Sequence, residues 1–249
     1  YTSIFASPYS APQNVSGTSK SYAGFADFDW QLADQWRLSF GGRWTKDKKT
    51  ITNYYPAFIG AGDASFNKFT PKVGLDWRPN NDIMLYASFS VGYRSGGFSN
   101  RAATHDSTVT PFQPEKVDST EVGAKTEWFD HKLSANLALF NAKYKDMQQN
   151  TTIPGGPTGN QTIVFNVGSA TIRGIELELT GRPTEELTLS ASIGTLHSSF
   201  SGFITQAPPP VETPANPNAL VNYDYSANNL IYNPKITATL SADYKLPTS

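Results

Sequence analysis

The stretch that decides the fold is DIMLYASFSVGYRSGGFS (82–99), followed after a polar loop by PFQPEKVDSTEVGAKTEW (111–128). Apolar side chains take alternate positions from Ile83 to Tyr93, and polar or small side chains take the positions between them. Alternation with a period of two is typical of a β-strand that has one apolar and one polar face. The returning limb repeats the pattern up to Trp128. The two limbs therefore predict a long strand, a long loop and a long strand back.

The same alternation recurs along the chain and predicts nine strands and no convincing helix. Residues 1–20, the stretch from Lys46 to Phe69, Gln148–Gln161 and Ser201–Ile231 are predicted as loops because turn-forming residues cluster there. The connections then alternate, being short after Leu32, Arg78, Phe129 and Gly181 and long after Lys46, Phe98, Met147 and Phe200. In an up-and-down meander, short turns lie at one end and long loops at the other, as in outer-membrane barrels.

Aromatic residues mark both ends of the predicted apolar face. The residues concerned are Trp30, Trp36, Trp77 and Trp128 near short turns, and Trp44 and Tyr93 at the far ends of their strands. Amphipathic rings at both edges of an apolar band are expected at the level of lipid headgroups. A soluble sandwich would more often hold its tryptophans in mid-strand. We therefore predict an all-β, antiparallel, up-and-down transmembrane β-barrel whose aromatic girdle contacts outer-membrane lipid.

Composition limits the alternatives. The 249 residues carry a formal net charge of -1, which gives no electrostatic case for nucleic acid as a partner. Cysteine is absent, which excludes disulfides and thiolate chemistry. No apolar run is long enough for a transmembrane helix, but alternating strands would not produce one.

Four segments resemble a known family. SVGYRSGGFS (90–99), FQPEKVDSTEVGAKTEW (112–128), LALFNAKYKDMQ (137–148) and FNVGSATIRGIELELTGRP (165–183) have the order and spacing of the C-terminal barrel of TonB-dependent outer-membrane receptors. The resemblance implies part of a 22-stranded barrel, about nine strands of it, in the outer membrane of a Gram-negative bacterium. It also implies TonB as a partner, acting through an N-terminal plug that these residues do not resemble. Residues 1–249 are accordingly expected to be a fragment of the barrel domain.

The polar face carries charged residues of both signs. Those predicted to face the lumen are Asp27, Asp29, Arg43, Lys72, Glu121, Glu176 and Glu178. Neighbouring carboxylates such as Asp27 and Asp29 are a possible cation or acid–base site. The simpler interpretation is a hydrated wall of mixed charge that meets a plug.

Candidate ligand contacts lie at the predicted extracellular mouth. Arg94, Phe98 and Arg101 follow the end of a strand, where cations would attract an anionic ligand. Tyr54 and Tyr55, in the predicted loop before Phe69, would stack on it. The competing interpretations are a glycine-assisted bend at the rim for the first group and loop packing for the second.

Catalytic and metal motifs are absent from the sequence. The three histidines, His105, His131 and His197, are not spaced as metal ligands. No nucleophile motif or phosphate-binding loop occurs, so we predict no enzyme, no catalytic residue, no metal site and no cofactor.

The function predicted from the resemblance is active uptake of a scarce nutrient, most often a small-molecule ligand such as a ferric siderophore. A passive outer-membrane porin is the alternative with the same strand pattern. A soluble β-sandwich binding protein is the third reading. A plug domain upstream of Tyr1 would distinguish the receptor from the porin.

Overall fold

One large antiparallel sheet dominates the computed structural model, which describes residues 14–55, 58–102, 105–153, 161–207, 221–228, 230 and 233–246. Its nine strands are β1 (Asn14–Ala33), β2 (Trp36–Tyr55), β3 (Phe58–Asn80), β4 (Ile83–Arg94), β5 (Glu115–Trp128), β6 (Leu133–Ile153), β7 (Gln161–Gly181), β8 (Leu187–Ser201) and β11 (Ile236–Tyr244). They pair in chain order, with β11 beside β8. A short helix, α1 (His105–Val109), lies between β4 and β5, and a small hairpin of β9 (Ile204–Ala207) and β10 (Val221–Asp224) follows β8.

The predicted nine-stranded, up-and-down arrangement is confirmed. The tight turns after β1, β3, β5 and β7 all lie at one end of the sheet, which we call the turn end. The other connections lie at the opposite end, the loop end. A sandwich packs two sheets face to face, whereas the nine long strands described here form one continuous antiparallel sheet, as the meander predicts. None of the described helices is long and apolar enough to cross a membrane.

Several strands are longer than predicted, and the loop predictions there are wrong. β1 begins at Asn14, inside the stretch predicted as loop, and β2 and β3 continue as a hairpin across most of the loop predicted between Lys46 and Phe69. β6 likewise continues to Ile153, past the predicted loop start at Gln148. In these extensions polar residues occur on both faces among scattered apolar ones such as Ile51 and Phe66, so the ladder persists where regular hydrophobic alternation has ended.

Two further differences concern the loop end. The loop after β4 contains α1, although the sequence predicted no helix. The predicted loop Ser201–Ile231 contains the β9–β10 hairpin. The proline-rich parts of the two predicted loops, residues 154–157 and 208–210, lie outside the described residues.

Strand register separates the two faces of the sheet. The apolar face exposes large side chains along its whole height, including Trp30 at 60 % and Leu240 at 81 %. The polar face aligns Asp27, Gly41 and Lys72 in one row across β1, β2 and β3. The side chain of Lys72 reaches over the glycine to form an ion pair of 3.0 Å with Asp27.

The buried side chains among the described residues all lie in the loop half of the sheet or in the connections there. The apolar ones are Ile51, Phe66, Ala102, Met147, Val167 and Ala170, and the polar ones are Asp47, Asn53, Ser99, Thr108, Gln148 and Ser198. The turn half has no such core. The fold therefore places its packed interior where the long connections return.

Candidate functional site at the loop end

The loop that joins β4 to β5, residues 95–114, lies between two protruding hairpins and contacts both. One is the β2–β3 hairpin and the other is the β6–β7 hairpin. We call this segment the strap. Its contacts on each side show how the sequence holds it.

The β2–β3 hairpin holds the strap through a buried amide. Asn53 is fully buried, and its Nδ2 donates to the carbonyl oxygen of Ala102 at 3.4 Å and to Oγ1 of Thr108 at 3.3 Å. Phe98 lies against Gly62, where a Cβ would come within 2.8 Å of the ring. Leaving the buried Nδ2 donor unpaired would be costly, so its two contacts fix α1 against the hairpin, although Asn53 Oδ1 has no hydrogen-bond partner.

The β6–β7 hairpin holds the strap at both of its limbs. Gln148 Nε2 donates to the carbonyl oxygens of Ser95 and Gln113, each at 3.0 Å, and the backbone N–H of Gln148 donates to Glu115 Oε2 at 2.7 Å. The amide of Asn166 also exchanges two hydrogen bonds with the backbone of Gln113, at 2.6 and 2.8 Å. A single glutamine therefore clasps the start and the end of the strap.

The three residues predicted to bind ligand in and beside the strap have different surroundings. Arg94 is exposed at the end of β4, opposite Glu115. Arg101 is exposed on the β6–β7 side, where its carbonyl oxygen accepts from the N–H of Thr162 at 3.2 Å. Phe98 instead packs against the β2–β3 hairpin. Arg94 thus ends β4, whereas Phe98 and Arg101 lie in the strap and contact different hairpins.

The two tyrosines lie near the tip of the β2–β3 hairpin and not in a loop. Tyr54 is 48 % exposed and pairs with Asn14 and Ile59. The backbone of Tyr55 pairs with Phe58, and the side chains of both residues lie outside the described part of the chain.

Two cavities flank the strap and share Phe112. The first has a volume of about 360 Å³ and lies toward β1 and β2. Its lining includes Thr18, Lys49, Ile51, Phe98, Asn100 and Phe112. The second, of about 260 Å³, lies toward β7, with Ser99, Ser107, Phe112, Val164 and Asn166 in its wall. Mixed apolar and hydrogen-bonding linings of this kind suit a small polar ligand with hydrophobic parts.

The predicted lumen residues share the polar face and are partly paired there. Besides the Asp27–Lys72 ion pair, Glu121 accepts a hydrogen bond of 2.7 Å from the hydroxyl of Tyr86. The guanidinium of Arg43 lies 5.9 Å from the ring centre of Phe25. The Asp27–Lys72 pair and Arg43 border a depression of about 310 Å³ that is also lined by Phe25, Thr70 and Ser90. Asp29, Glu176 and Glu178 lie on the same face, Asp29 opposite Ser39 and the two glutamates in neighbouring rows of β7.

Sequence reasoning did not foresee some contacts on this face. Arg37 and Asp76 form an ion pair in adjacent strands, with Arg37 Nε 2.8 Å from Asp76 Oδ2. Their direct opposition follows from a register that periodicity alone does not give. No group of three potential metal ligands occurs among the described residues.

The six predicted girdle residues differ in their surroundings. Trp36 and Trp77 are cross-strand partners whose rings stack at 5.4 Å. The other tryptophans, Trp30, Trp44 and Trp128, are 60 %, 46 % and 50 % exposed. Tyr93 is only half-buried, and its hydroxyl donates to the buried carboxylate of Asp47 at 3.3 Å. The lipid contact of all six stays a prediction, and Tyr93 has an additional partner inside the protein.

One side chain in a tight turn has a shifted pKa. His131, between β5 and β6, hydrogen-bonds through its ring to the carboxylate of Glu127. This contact, helped by the charges of Glu127, Asp82 and Asp130, raises the pKa of His131 above its usual value.

Comparison with known proteins gives one family for the whole chain. Residues 1–249 match the family model described as TonB dependent receptor-like, beta-barrel. The pesticin receptor of Yersinia enterocolitica is 30 % identical over 166 residues, which is 65 % of this chain and 23 % of that protein. A probable TonB-dependent siderophore receptor of Acinetobacter baumannii, PiuA, is 24 % identical over 179 residues, 69 % of this chain and 23 % of that protein. The chain thus spans about a quarter of the length of these curated relatives.

Solved structures give the same fold. The ferric yersiniabactin uptake receptor FyuA of Yersinia pestis superposes with a TM-score of 0.74 at 20 % identity, over 95 % of this chain and 33 % of that one. The alcaligin outer-membrane receptor FauA of Bordetella pertussis gives 0.57 at 22 % identity, over 94 % of this chain and 36 % of that one. The nine strands correspond to part of such a barrel.

Proposed function

The chain belongs to the TonB-dependent receptor β-barrel family of the Gram-negative outer membrane. From that premise we propose that it forms part of the barrel of a ferric-siderophore receptor. Such a receptor captures a scarce ligand at its outer mouth and imports it with energy delivered by TonB. The family consists of transport receptors and not enzymes, in agreement with the lack of catalytic motifs in the sequence.

The observation that carries this proposal is the match of residues 1–249 to the receptor barrel, together with relatives that are named as siderophore receptors. It favours the receptor over the passive porin, which has the same strand alternation. TonB would act on a plug in the lumen, and we assign the polar face around Asp27, Lys72 and Glu121 to plug contact.

The strap supplies the proposed capture surface. Arg101 in the strap and Arg94 at the end of β4 are exposed at the loop end, and the strap separates two cavities of about 360 and 260 Å³. Lys49 adds a further cation to the larger cavity. Cations beside apolar rings suit a ferric siderophore with anionic oxygens and an organic backbone.

Growth under iron limitation tests the function. A deletion strain is supplied singly with hydroxamate, catecholate and mixed-type siderophores, with the complete receptor restored on a plasmid. We expect one class to support growth only when both the receptor and TonB are present. Growth on all three classes without the receptor, or uptake that is independent of TonB, would contradict the proposal.

Binding by the purified complete receptor tests the capture surface. We expect Arg94→Gln and Arg101→Gln each to weaken binding of the siderophore identified by growth about tenfold or more, because a charge-assisted hydrogen bond is worth about 1.5–3 kcal/mol. The matched controls, Arg78→Gln and Arg182→Gln, lie at the turn end. An equal loss of siderophore affinity in these variants and in the turn-end controls would show that the strap is not the ligand site. A large steady conductance in planar bilayers without TonB would instead favour the porin.

Orientation is tested separately with the complete receptor in intact cells. Residues 1–249 contain no cysteine, so Asp106→Cys introduces a single thiol into this part of the receptor. The side chain of Asp106, in α1, is 98 % exposed. Labelling by a membrane-impermeant maleimide is expected. Labelling only after the outer membrane is opened would place the loop end inside the cell envelope.

A further inference from the structure

The tight turn between β5 and β6 has an unusual backbone. Its residues Phe129, Asp130 and His131 all have positive φ angles, of 57°, 54° and 62°. None of the three is glycine, and a residue with a Cβ is disfavoured in this left-handed region, Phe more than Asp or His. The other three tight turns, all within the described residues, contain no residue with a positive φ. The β5–β6 turn is therefore the strained turn at the turn end.

The geometry of the hairpin explains why the turn is strained. Trp128 and Leu133 are directly paired, so the chain must reverse within residues 129–132. Tight turns that follow the right-handed twist of a hairpin need positive φ angles, which Asn-Gly usually provides. Here the backbone N–H of Lys132 donates to the carbonyl oxygen of Phe129 at 3.2 Å, but the turn contains no glycine. A further contact is needed to hold the left-handed conformation.

The side chain of His131 supplies that contact. Its Nδ1 hydrogen-bonds to Oε2 of Glu127, which lies two residues before the turn on β5. In the part of the chain that the structure describes, no other side chain of the turn forms a hydrogen bond or an ion pair. A charge-assisted hydrogen bond is about twice as strong as a neutral one. The strength of the contact therefore depends on the charge of His131.

The surroundings of His131 favour its protonated form. The charged residues near the ring come from four elements: Glu127 on β5, Asp130 and Lys132 in the turn, Asp82 in the β3–β4 turn and Arg182 in the β7–β8 turn. The hydrogen bond to Glu127 raises the pKa of His131 most, and the carboxylates of Asp82 and Asp130 raise it further. The side chain of His131 is 66 % exposed, so protons exchange freely with water.

We propose that the β5–β6 turn is a pH-operated conformational switch. While His131 is protonated, its bond to Glu127 holds residues 129–131 in the closed, left-handed form. When the ring loses its proton, the bond weakens and the turn relaxes to an open form in which φ of Phe129 is negative. With the loop end outside the cell, as in the proposed function, the switch faces the periplasm.

The switch is joined to the turns on both of its sides. The backbone N–H of Glu127 donates to the carbonyl oxygen of Asp82 at 2.8 Å, and that of Arg182 donates to the carbonyl oxygen of Lys132 at 2.7 Å. The ring of Phe129, which is 75 % exposed, moves with the turn. Opening therefore changes the apolar surface shown at the turn end and loosens the adjoining ends of β4 and β7.

Fluorine NMR of the complete receptor in lipid nanodiscs tests the switch. Phe129 is replaced by para-trifluoromethylphenylalanine as the probe, and spectra are recorded from about pH 5.5 to 8.5. We expect the ratio of open to closed signals to rise about two- to fivefold as pH rises through the pKa of His131, since an exposed pair contributes little. Glu127→Gln and His131→Gln should each abolish this rise. His105→Gln, in α1 at the opposite end, should leave it unchanged.

A matched pair of variants tests the strain itself. Asp130→Gly and Asp130→Ala remove the same carboxylate, but only glycine removes the Cβ that is unfavourable at φ 54°. We expect the ratio of closed to open turn to be about fivefold or more higher in Asp130→Gly than in Asp130→Ala at the same pH. A folding defect cannot imitate this result, because glycine is expected to favour the form seen in the structure.

Three outcomes would overturn the inference. The first is a single probe signal in the parent that does not change over the whole pH range. The second is the same pH response in the parent and in Glu127→Gln, which would make another group responsible. The third is an equal ratio of closed to open turn in Asp130→Gly and Asp130→Ala, which would show that the backbone stores no strain.

Growth under iron limitation separates this inference from the proposed function. The switch requires only the turn and its neighbours, so a receptor that supports no siderophore uptake but shows the pH response would refute the receptor assignment alone. Labelling of Asp106→Cys only after the outer membrane is opened would refute the periplasmic location of the turn and leave the switch itself intact.

Discussion

Around Leu85 and Ile193, in the turn half, apolar side chains are 38 % and 47 % exposed on the outer face, whereas Asn53 and Thr108 in the loop half are completely buried. The turn half depends on surroundings that the chain does not supply, namely lipid outside and, by our proposal, a plug inside. The loop half supplies its own interior, because the strap returns between the hairpins. The same strands are therefore stabilised in two ways along their length.

The largest effect is expected from a charge placed on the lipid side of the turn half. Ile193 and Ser192 are neighbours on β8 that face opposite sides, Ile193 beside Leu177 and Ser192 beside Glu178. We expect Ile193→Arg to lower the free energy of unfolding by about 2–4 kcal/mol, since a cation deep in the apolar band is desolvated. Ser192→Arg gains a carboxylate neighbour and should cost far less. Urea unfolding of the complete receptor in lipid vesicles measures both, and equal losses would contradict the assignment of faces.

Close packing on the lumen side of the turn half is tested at Gly123. A Cβ there would lie 2.5 Å from the carbonyl oxygen of Leu137 and 2.6 Å from the ring of Tyr86. We expect Gly123→Ala to cost about 1–3 kcal/mol, because the ring that donates to Glu121 must move. Gly24→Ala is the control, since a Cβ at Gly24 meets nothing within 4 Å. If both variants unfold at the same urea concentration, Tyr86 is not packed on Gly123.

The hydrogen bonds by which Gln148 holds the strap in the loop half are tested by substitution of that residue. Gln148→Ala removes the donor shared by Ser95 and Gln113, and we expect a local loss of about 1 kcal/mol. It should appear as faster amide hydrogen exchange in residues 95–114, with the turn half unchanged, because regions open independently. Gln149→Ala on the same strand is the control. Exchange that rises equally across the whole sheet would show that the two halves are not separate.

The smallest effect is a pH dependence at the turn end. The pKa of His131 is raised by Glu127, so the folded state binds the proton more tightly than the unfolded state does. Its contribution to stability is complete below the unfolded pKa of about 6.5 and is lost as pH rises through the higher folded pKa. An NMR titration of the His131 ring should give an apparent pKa above 6.5, and Glu127→Gln should lower it. An unchanged value in Glu127→Gln would exclude that carboxylate as the cause.

The turn half was predictable from the sequence because each of its strands faces two different environments. Alternation at Ile83–Tyr93 gave the strand, and the turn residues Pro79 to Asn81 gave its start. The strands at Val15 and Thr52 were missed because polar residues occur there on both faces among a few apolar ones such as Ile51, so no regular alternation remains.

The candidate site was predictable only in part. The sequence placed Arg94 at the end of a strand and Phe98 and Arg101 just after it, and their role as ligand contacts stays a prediction. Their separation between two hairpins depends on Asn53 and Gln148, which are distant in sequence and form ordinary polar stretches of strand. Residues that act by clasping a remote loop leave no periodic signal, since their partners are backbone groups of any residue type.

By itself, the sequence determined which faces of the strands are apolar, where the tight turns lie, and the family. Those properties are local: side-chain alternation and turn chemistry act over a few residues. The tertiary structure alone decided that the strap is held between two hairpins, that Lys72 reaches Asp27 over Gly41, and that Lys20 lies opposite Lys48. These depend on the register between strands, which follows from the summed pairing of whole strands and cannot be read from any one of them.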